Sequence, residues 1–185
     1  MCIRDRFTAS QVLDIMECDR VLSRFDLGPS DRDLIRNWVD GTSIRWGIDA
    51  EHRAELPERL PATEENTWRH GMDRMLLGSA MRLEGEGLFE GILPYDMIEG
   101  SYTAVLGRFV DLLEALFEAS RSLSGPRTPL DWAEHLLSLI ERFFEGDEQA
   151  DELTSLRGTV SRLAREAGAA GFSGTMGFPV MRSWL

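Results

Sequence analysis

The chain has 185 residues, of which 43% are hydrophobic and 28% are charged, and its formal net charge is -12. This composition is typical of a globular protein with one ordinary domain or two small ones. The sequence contains no run of about 18 apolar residues, so it predicts no membrane span. All 20 basic residues are arginine, and the absence of lysine excludes a Walker-type phosphate loop and Schiff-base catalysis.

Hydrophobic spacing predicts three short helices before residue 42. The first two are expected at about 10–16 and 21–25. The third is expected to be capped by Ser30, with Asp33 three residues later in the manner of a capping box, and to stop near Gly41.

The middle of the chain is predicted to contain one longer helix between two irregular stretches. Residues 42–65 are interrupted by glycine and proline and are expected to be irregular. Asn66 or Thr67 then caps a helix, and residues 84–100 form a glycine-rich acidic loop. The apolar face of this helix is predicted to comprise Trp68, Met72, Met75, Leu76, Ser79 and Leu83.

Three long helices are predicted in the second half. One opens at Ser101, and the next has Thr128 as its N-cap and Pro129 as its first residue. The last covers about 148–168, and Pro179 looks like the first turn of a helix that the chain does not complete. The inward side of the last long helix is predicted to hold Leu153, Leu156, Val160, Leu163 and Ala167. The fold expected is all-α, an irregular bundle of about six helices with long loops.

The two ends of the chain suggest a piece of a longer protein. Residues 1–6 show no periodic relation to the rest of the chain and are expected to be a non-native leader, which leaves 7–185 as a helical fragment. No secretory signal is expected, because the first six residues lack a following apolar core. With only two cysteines, we expect a reducing, cytoplasmic compartment.

The acidic residues are unevenly distributed. Residues 109–155 hold eleven acids and three arginines, whereas 66–82 and 156–185 have net charges of +2 and +3. A strongly acidic protein is poorly suited to neutralising phosphates, so we expect weak or no DNA binding by the isolated chain. The two arginine-rich stretches leave room for a local basic surface.

Two stretches stand out from ordinary helical sequence, namely 44–49 (IRWGID) and 66–78 (NTWRHGMDRMLLG). Five of their residues are candidates for nucleic-acid contact: Arg45, Trp46, Trp68, Arg69 and Arg74. In that reading the indoles stack on bases and the guanidinium groups bind phosphates. The alternative, favoured by the helical stripe that Trp68 begins, is that the rings are packing anchors and the arginines pair with carboxylates such as Asp49 or Asp73.

No catalytic, cofactor-binding or metal-binding residue can be nominated. The three histidines are isolated in sequence, and a metal site needs clustered ligands. The carboxylates of the helices are typical of solvated faces.

Residues 7–185 resemble the RecC family, the gamma subunits of exodeoxyribonuclease V in the bacterial RecBCD recombination and repair machine. The two stretches 44–49 and 66–78 are the specific part of this resemblance. The other matching blocks are 11–14, 24–25, 35–39 and 92–96, with weaker matches at 129–132 and 142–144.

The resemblance implies an internal fragment of a helicase-like region that has lost its ATPase motifs, similar to a helicase accessory domain. Family members bind the duplex junction, help to split the strands and scan one strand for the Chi signal, together with RecB-type and RecD-type subunits. ATP and magnesium would be used by those partner subunits, and no cofactor is expected in this fragment. No Chi-reading residue of the family is carried onto this chain.

The function expected is therefore a non-catalytic helical segment that contributes to DNA-strand handling and subunit scaffolding in double-strand-break repair and homologous recombination. Whether the chain belongs to an enzyme is undecided from its residues, because it resembles a subunit of an ATP-dependent helicase and exonuclease yet offers no catalytic group. The alternative is a stand-alone helical adaptor that binds another protein through an exposed apolar face.

Overall fold

The computed structural model describes residues 6–56, 61–81, 87–144 and 151–184. Over these ranges the fold is all-α, as predicted, without a strand. The described residues form nine helices rather than about six, because short helices stand as separate elements. They are α1 (Ala9–Ile15), α2 (Asp19–Arg24), α3 (Pro29–Gly41), α4 (Ala50–Ala54), α5 (Trp68–Ala80), α6 (Tyr102–Ser122), α7 (Pro129–Phe143), α8 (Asp151–Ala169) and α9 (Phe178–Trp184).

The chain divides into two compact units, and helix α6 runs across their boundary. Unit 1 is Met1–Glu114 and unit 2 is Ala115–Leu185. None of the described helices is long and apolar enough to cross a membrane.

Helix capping follows the sequence at two predicted positions and departs from it at a third. Thr67 and Thr128 are the N-caps of α5 and α7, as expected. The predicted Ser30 cap of α3 is wrong, because the N-cap is Gly28, two residues earlier, and the helix begins at Pro29. Proline has the backbone angle of a first helical residue, and the Asp31 carboxylate accepts a hydrogen bond from the Gly28 N–H at 2.8 Å. Asp33 therefore takes no part in the cap.

Helix α5 buries a narrower face than its apolar spacing predicted. Trp68, Met72 and Met75 are buried, but Leu76 is 41% exposed. Gly71 and Gly78 occupy the rest of the buried face. Neighbouring groups approach so closely at these two glycines that no larger side chain fits, which an apolar count cannot detect.

Unit 2 is built around the packing of α7 against α8. Ala133 and Ile140 of α7 meet Leu153 and Val160 of α8 in one cluster. A second cluster comprises Trp132, Leu163, Met176 and Met181, with Leu123, Leu136 and Phe178 packed against it. The predicted inward stripe of α8 is correct except at Leu156, which is 40% exposed.

Two further expectations concern loops. The stretch 42–65, expected to be irregular, contains the short helix α4. Residues 87–101 form a loop without a helix, as predicted. Expectations for the leader at 1–5, for Leu83, for the loop at 84–86, for the start of a helix at 148–150 and for Leu185 fall outside the described residues.

Candidate nucleic-acid interface

The stretch 44–49 lies between two other segments of unit 1 and is hydrogen-bonded to both. On one side, the Ala9 N–H donates to the Arg45 carbonyl and the Gly47 N–H donates to the Arg6 carbonyl, each at 2.8 Å. On the other side, the Arg45 N–H donates to the Asn66 carbonyl at 2.9 Å, and the Trp68 N–H donates to the Gly47 carbonyl at 3.0 Å. The two distinctive stretches of the sequence are thus parts of one hydrogen-bonded structure.

A buried arginine completes this hydrogen-bonded structure, although its role was not predicted from the sequence. Arg53 of α4 is only 4% exposed. Its Nη1 donates to the carbonyls of Thr63 and Glu65, at 2.8 and 2.9 Å, and its Nη2 donates to the Trp46 carbonyl at 2.8 Å. The planar fork of an arginine can serve several acceptors at once, which lysine cannot do.

Gly47 makes room for that arginine. Its φ is +81°, a left-handed conformation that favours glycine, and a Cβ atom there would lie 2.8 Å from Arg53 Nε. The Arg53 guanidinium carbon lies 4.1 Å from the centre of the Trp46 ring. Burial lowers the pKa of Arg53, and the nearby carboxylates of Glu64 and Glu65 partly oppose that shift.

Trp68 is a core residue. It is fully buried, and its indole Nε1 donates to the Phe7 carbonyl at 2.8 Å, across 61 positions of sequence. Its ring meets Phe109 of α6 edge-on, with ring centres 6.3 Å apart. A base cannot stack on a ring enclosed in this way, so the geometry favours the packing reading for Trp68.

Arg69 and Arg74 of α5 also have internal partners. The two terminal nitrogens of Arg69 contact both carboxylate oxygens of Glu114 in a fork. Arg74 Nη1 donates to the Thr42 carbonyl and its Nε to the Leu93 carbonyl, at 2.8 and 2.9 Å. Both side chains therefore tie α5 to other parts of unit 1.

Asp73, expected as a partner of Arg69, lies on the same helix. Burial raises its pKa, and the positive charge of Arg69 together with His70 opposes that shift. The electrostatic coupling between Arg69 and Asp73 is therefore present beside the Glu114 fork.

Arg45 differs from the other four candidates. Its side chain is exposed, and no ion pair of the described residues involves it. Its neighbour Trp46 is half-buried beneath Arg53. The structure thus brings the five candidates into one unit, but among them only Arg45 presents a cation that is not engaged internally.

Sequence reasoning missed Arg53 because nothing in its immediate surroundings marks it as buried. The arginine that stacks on Trp46 is not its sequence neighbour Arg45 but a residue seven positions later. Two signals point toward it in retrospect. Gly47 permits a close approach, and Asp49 caps α4 by accepting a hydrogen bond from the His52 N–H.

Comparison with known proteins gives the family directly. The family described as the fourth domain of the RecBCD enzyme subunit RecC matches residues 2–185. The RecBCD enzyme subunit RecC of Escherichia coli strain K12 is 34% identical over 151 residues, which cover 82% of this chain and 13% of that protein.

This chain belongs to the RecC family.

Two other RecC proteins give the same result. The RecC subunit of Mycolicibacterium smegmatis is 36% identical over 77% of the chain, and that of Buchnera aphidicola subsp. Acyrthosiphon pisum is 24% identical over 80%. The resemblance predicted from the distinctive stretches is thereby confirmed. The chain spans about an eighth of the length of the curated RecC relatives that it matches.

The described part of this RecC segment contains no group of three or more histidine, cysteine, aspartate or glutamate residues placed to hold a metal ion. Burial and the charge of Arg127 lower the pKa of His135 in unit 2. Its Nε2 lies 3.0 Å from Ser122 Oγ, a local hydrogen bond within unit 2.

Proposed function

We propose that this chain is a non-catalytic helical segment of a RecC-type subunit, acting in double-strand-break repair and homologous recombination within an ATP-dependent helicase and exonuclease complex. Membership of the RecC family supports the setting. The main support for a non-catalytic, structural role is that the arginines and indoles of unit 1 make their contacts within the protein, apart from Arg45.

The internal hydrogen bonds of three arginines oppose phosphate binding by them. Arg53, Arg69 and Arg74 already donate to carbonyl or carboxylate groups of the protein. Each would have to break these hydrogen bonds to bind a phosphate through the same N–H groups, and a hydrogen bond within a protein contributes about 0.5–1.5 kcal/mol. These residues therefore serve to fix the shape of unit 1, and strand handling by the subunit depends on that shape being kept.

Direct DNA contact by this segment is proposed to be limited and to rest mainly on Arg45. That residue is exposed, whereas Trp68 is enclosed and Trp46 lies beneath Arg53. The net charge of -12 opposes the approach of a polyanion to the isolated chain. Any contribution of Arg45 would then be made in the assembled complex.

The first test is DNA binding by the 185-residue chain, measured by fluorescence anisotropy with a labelled forked duplex. We expect no saturation up to about 10 μM protein at about 0.15 M salt, weaker than ordinary non-specific binders of the micromolar range. Tight binding that falls steeply between about 0.05 and 0.2 M salt would contradict the proposal.

The second test concerns assembly. We propose RecB-type and RecD-type subunits as the partners, with ATP and magnesium used by those subunits and the complex located in the cytoplasm. An E. coli RecC protein whose matching segment is replaced by this chain is expected to co-purify with its partner subunits and to support DNA unwinding. Substituting Arg45→Ala in that chimera should weaken forked-DNA binding without loss of assembly. Failure to assemble by a chimera whose segment is folded by circular dichroism would count against the scaffolding role.

A further inference from the structure

The loop between α5 and α6 exposes several large apolar side chains. Met97 is 67% exposed, Leu88 64% and Leu93 50%. Phe89 and Tyr102 at either end of the loop are 40% and 47% exposed. Single exposed apolar residues are ordinary, but a group of five within fifteen positions is the pattern of an interaction surface.

The backbone of this loop is fixed in place. The Tyr95 N–H donates to the Arg74 carbonyl at 2.8 Å, and the Arg74 side chain donates back to the Leu93 carbonyl. A Cβ atom on Gly78 of α5 would lie 1.8 Å from the Tyr95 carbonyl oxygen, so the loop rests directly on the helix at this glycine. Ile98 anchors the far end and is 1% exposed.

The start of the loop is also ordered locally. Phe89 and Ile92 exchange two backbone hydrogen bonds, of 3.0 and 2.9 Å. Glu90 and Gly91 form the tight turn between them, with φ values of 48° and 84°. Such a turn needs two residues of positive φ, which suits glycine at its second position. The exposed apolar side chains are therefore held in position before any partner binds, which reduces the entropy lost on association.

The polar part of the surface is acidic. Residues 88–102 contain three acids, Glu90, Asp96 and Glu99, and no base. A cavity of about 350 Å³ opens where the end of α5 meets the loop, and Asp96, Glu99, Ser79 and Thr103 are among its lining residues. The exposed Met97 and Tyr102 adjoin the lining residues Asp96 and Thr103 in sequence.

We propose that residues 88–102 form a docking surface for a segment of another protein that combines large apolar side chains with an arginine or lysine. The basic side chain would enter the cavity beside Asp96, while the apolar side chains would cover Leu93 and Met97. Charge decides the class of occupant. Nucleic acid is disfavoured by the carboxylates, and a second copy of the chain would bring a further net charge of -12.

This inference does not rest on the proposed role in DNA repair, because a basic, apolar protein segment is recognised by this surface whatever complex contains it. The test also uses no DNA binding or unwinding. Its failure would therefore leave the proposed function standing, and the reverse also holds.

The experiment is a selection of random peptides of about 15 residues, displayed on phage, against the 185-residue chain, followed by anisotropy measurements with the selected peptides. The expected peptides combine arginine or lysine with leucine, phenylalanine or similar residues. The double substitution L93S/M97S should lower their affinity at least about tenfold, and Asp96→Asn should lower it about threefold to fivefold, the effect of one exposed ion pair.

The matched control is Leu130→Ser in unit 2, which also removes an exposed leucine (59% exposed) but lies outside the loop. It should leave peptide affinity unchanged, and circular dichroism should show that every variant keeps its helices. Selection of acidic peptides, equal affinity for wild type and L93S/M97S, or a wild-type dimer that L93S/M97S dissolves would each overturn the proposal.

Discussion

Units 1 and 2 each contain one fully buried tryptophan whose indole N–H donates to a distant backbone carbonyl. Trp68 donates to Phe7 in unit 1, and Trp132 donates to Met176 in unit 2, both at 2.8 Å. Arginines also lie over an indole in both units, Arg53 over Trp46 at 4.1 Å and Arg127 over Trp132 at 4.7 Å. Both units thus use the same two kinds of contact, which fall on two different indoles in unit 1 and on the single indole of Trp132 in unit 2.

The surroundings of the anchors differ. In unit 1, three segments are joined by backbone hydrogen bonds and by a buried arginine, with glycines where the segments approach most closely. In unit 2, the anchor joins α7 to Met176 in the loop after α8, beside the mainly aliphatic packing of α7 against α8. The fold of unit 1 therefore depends on particular residues at particular positions. The helix packing of unit 2 depends more on the spacing and volume of its apolar side chains. The stretches most specific to the RecC resemblance lie in unit 1.

The largest expected effect comes from removing the buried arginine of unit 1. Arg53→Met should lower the free energy of unfolding by about 3–4 kcal/mol, because the carbonyls of Thr63, Glu65 and Trp46 lose a charged donor. Arg127→Met in unit 2 should cost about 1 kcal/mol, because Arg127 is only half-buried. Urea unfolding followed by circular dichroism measures both. Equal costs would remove the distinction between the units.

A glycine comparison tests close packing separately from charge. Gly78→Ala in unit 1 should cost about 2–3 kcal/mol, because the new Cβ would lie 1.8 Å from the Tyr95 carbonyl oxygen. Gly158→Ala in α8 of unit 2 has open space within 4 Å and should raise stability by about 0.5–1 kcal/mol. The midpoints of urea unfolding should therefore shift in opposite directions. A shift of the same sign for both would show that the loop yields at Tyr95.

The two tryptophan anchors should respond alike. Trp68→Phe and Trp132→Phe each remove one indole donor and leave the carbonyl of Phe7 or Met176 without it. Each should lower stability by about 1–2 kcal/mol, from the lost hydrogen bond and the smaller ring, although the Met176 carbonyl still accepts from the Arg127 N–H. Thermal unfolding of the two variants measures the difference. A much larger loss for Trp68→Phe would mean that the hydrogen-bonded network amplifies the damage in unit 1.

The smallest expected effect is the pH dependence that His135 contributes in unit 2. Burial and then the charge of Arg127 lower the pKa of His135 below its ordinary value, so the folded state prefers neutral His135. The contribution is fully present above the unfolded pKa of about 6.5 and is lost as pH falls below it, because the unfolded chain then binds the proton more strongly. Between about pH 7.5 and pH 5, stability should fall less in His135→Gln than in wild type. An unchanged difference between the two pH values in that variant would refute this assignment.

Much of unit 2 was predictable because its signals are local. The Thr128 cap, Pro129 at the first helical position and the apolar positions of α7 and α8 all follow from residues within a few turns of each other. The prediction that Leu156 is buried was wrong. Leu156 follows the apolar spacing of α8, but neighbouring elements do not cover its side of the helix.

The arrangement of unit 1 was less predictable because its partners are far apart in sequence. The sequence indicated that 44–49 and 66–78 were unusual, but it did not show that they touch. Arg53 serves carbonyls ten and twelve residues away, and Gly78 receives a backbone carbonyl from a loop. Such contacts produce no periodic pattern in the sequence. The nucleic-acid role of the five candidate residues stays a prediction, and the structure narrows it toward Arg45.

The enclosure of Trp68 determines when unit 1 can fold during translation. Its pocket needs the Phe7 carbonyl and Phe109, positions separated by about a hundred residues, so unit 1 closes only after the first turns of α6 have left the ribosome. A nascent chain that ends before residue 109 therefore leaves one face of the Trp68 ring uncovered. The hairpin of α7 and α8, by contrast, pairs neighbours and is complete almost as soon as it is made. The N-terminal unit of this chain should accordingly be the one that engages holding chaperones, although it is translated first.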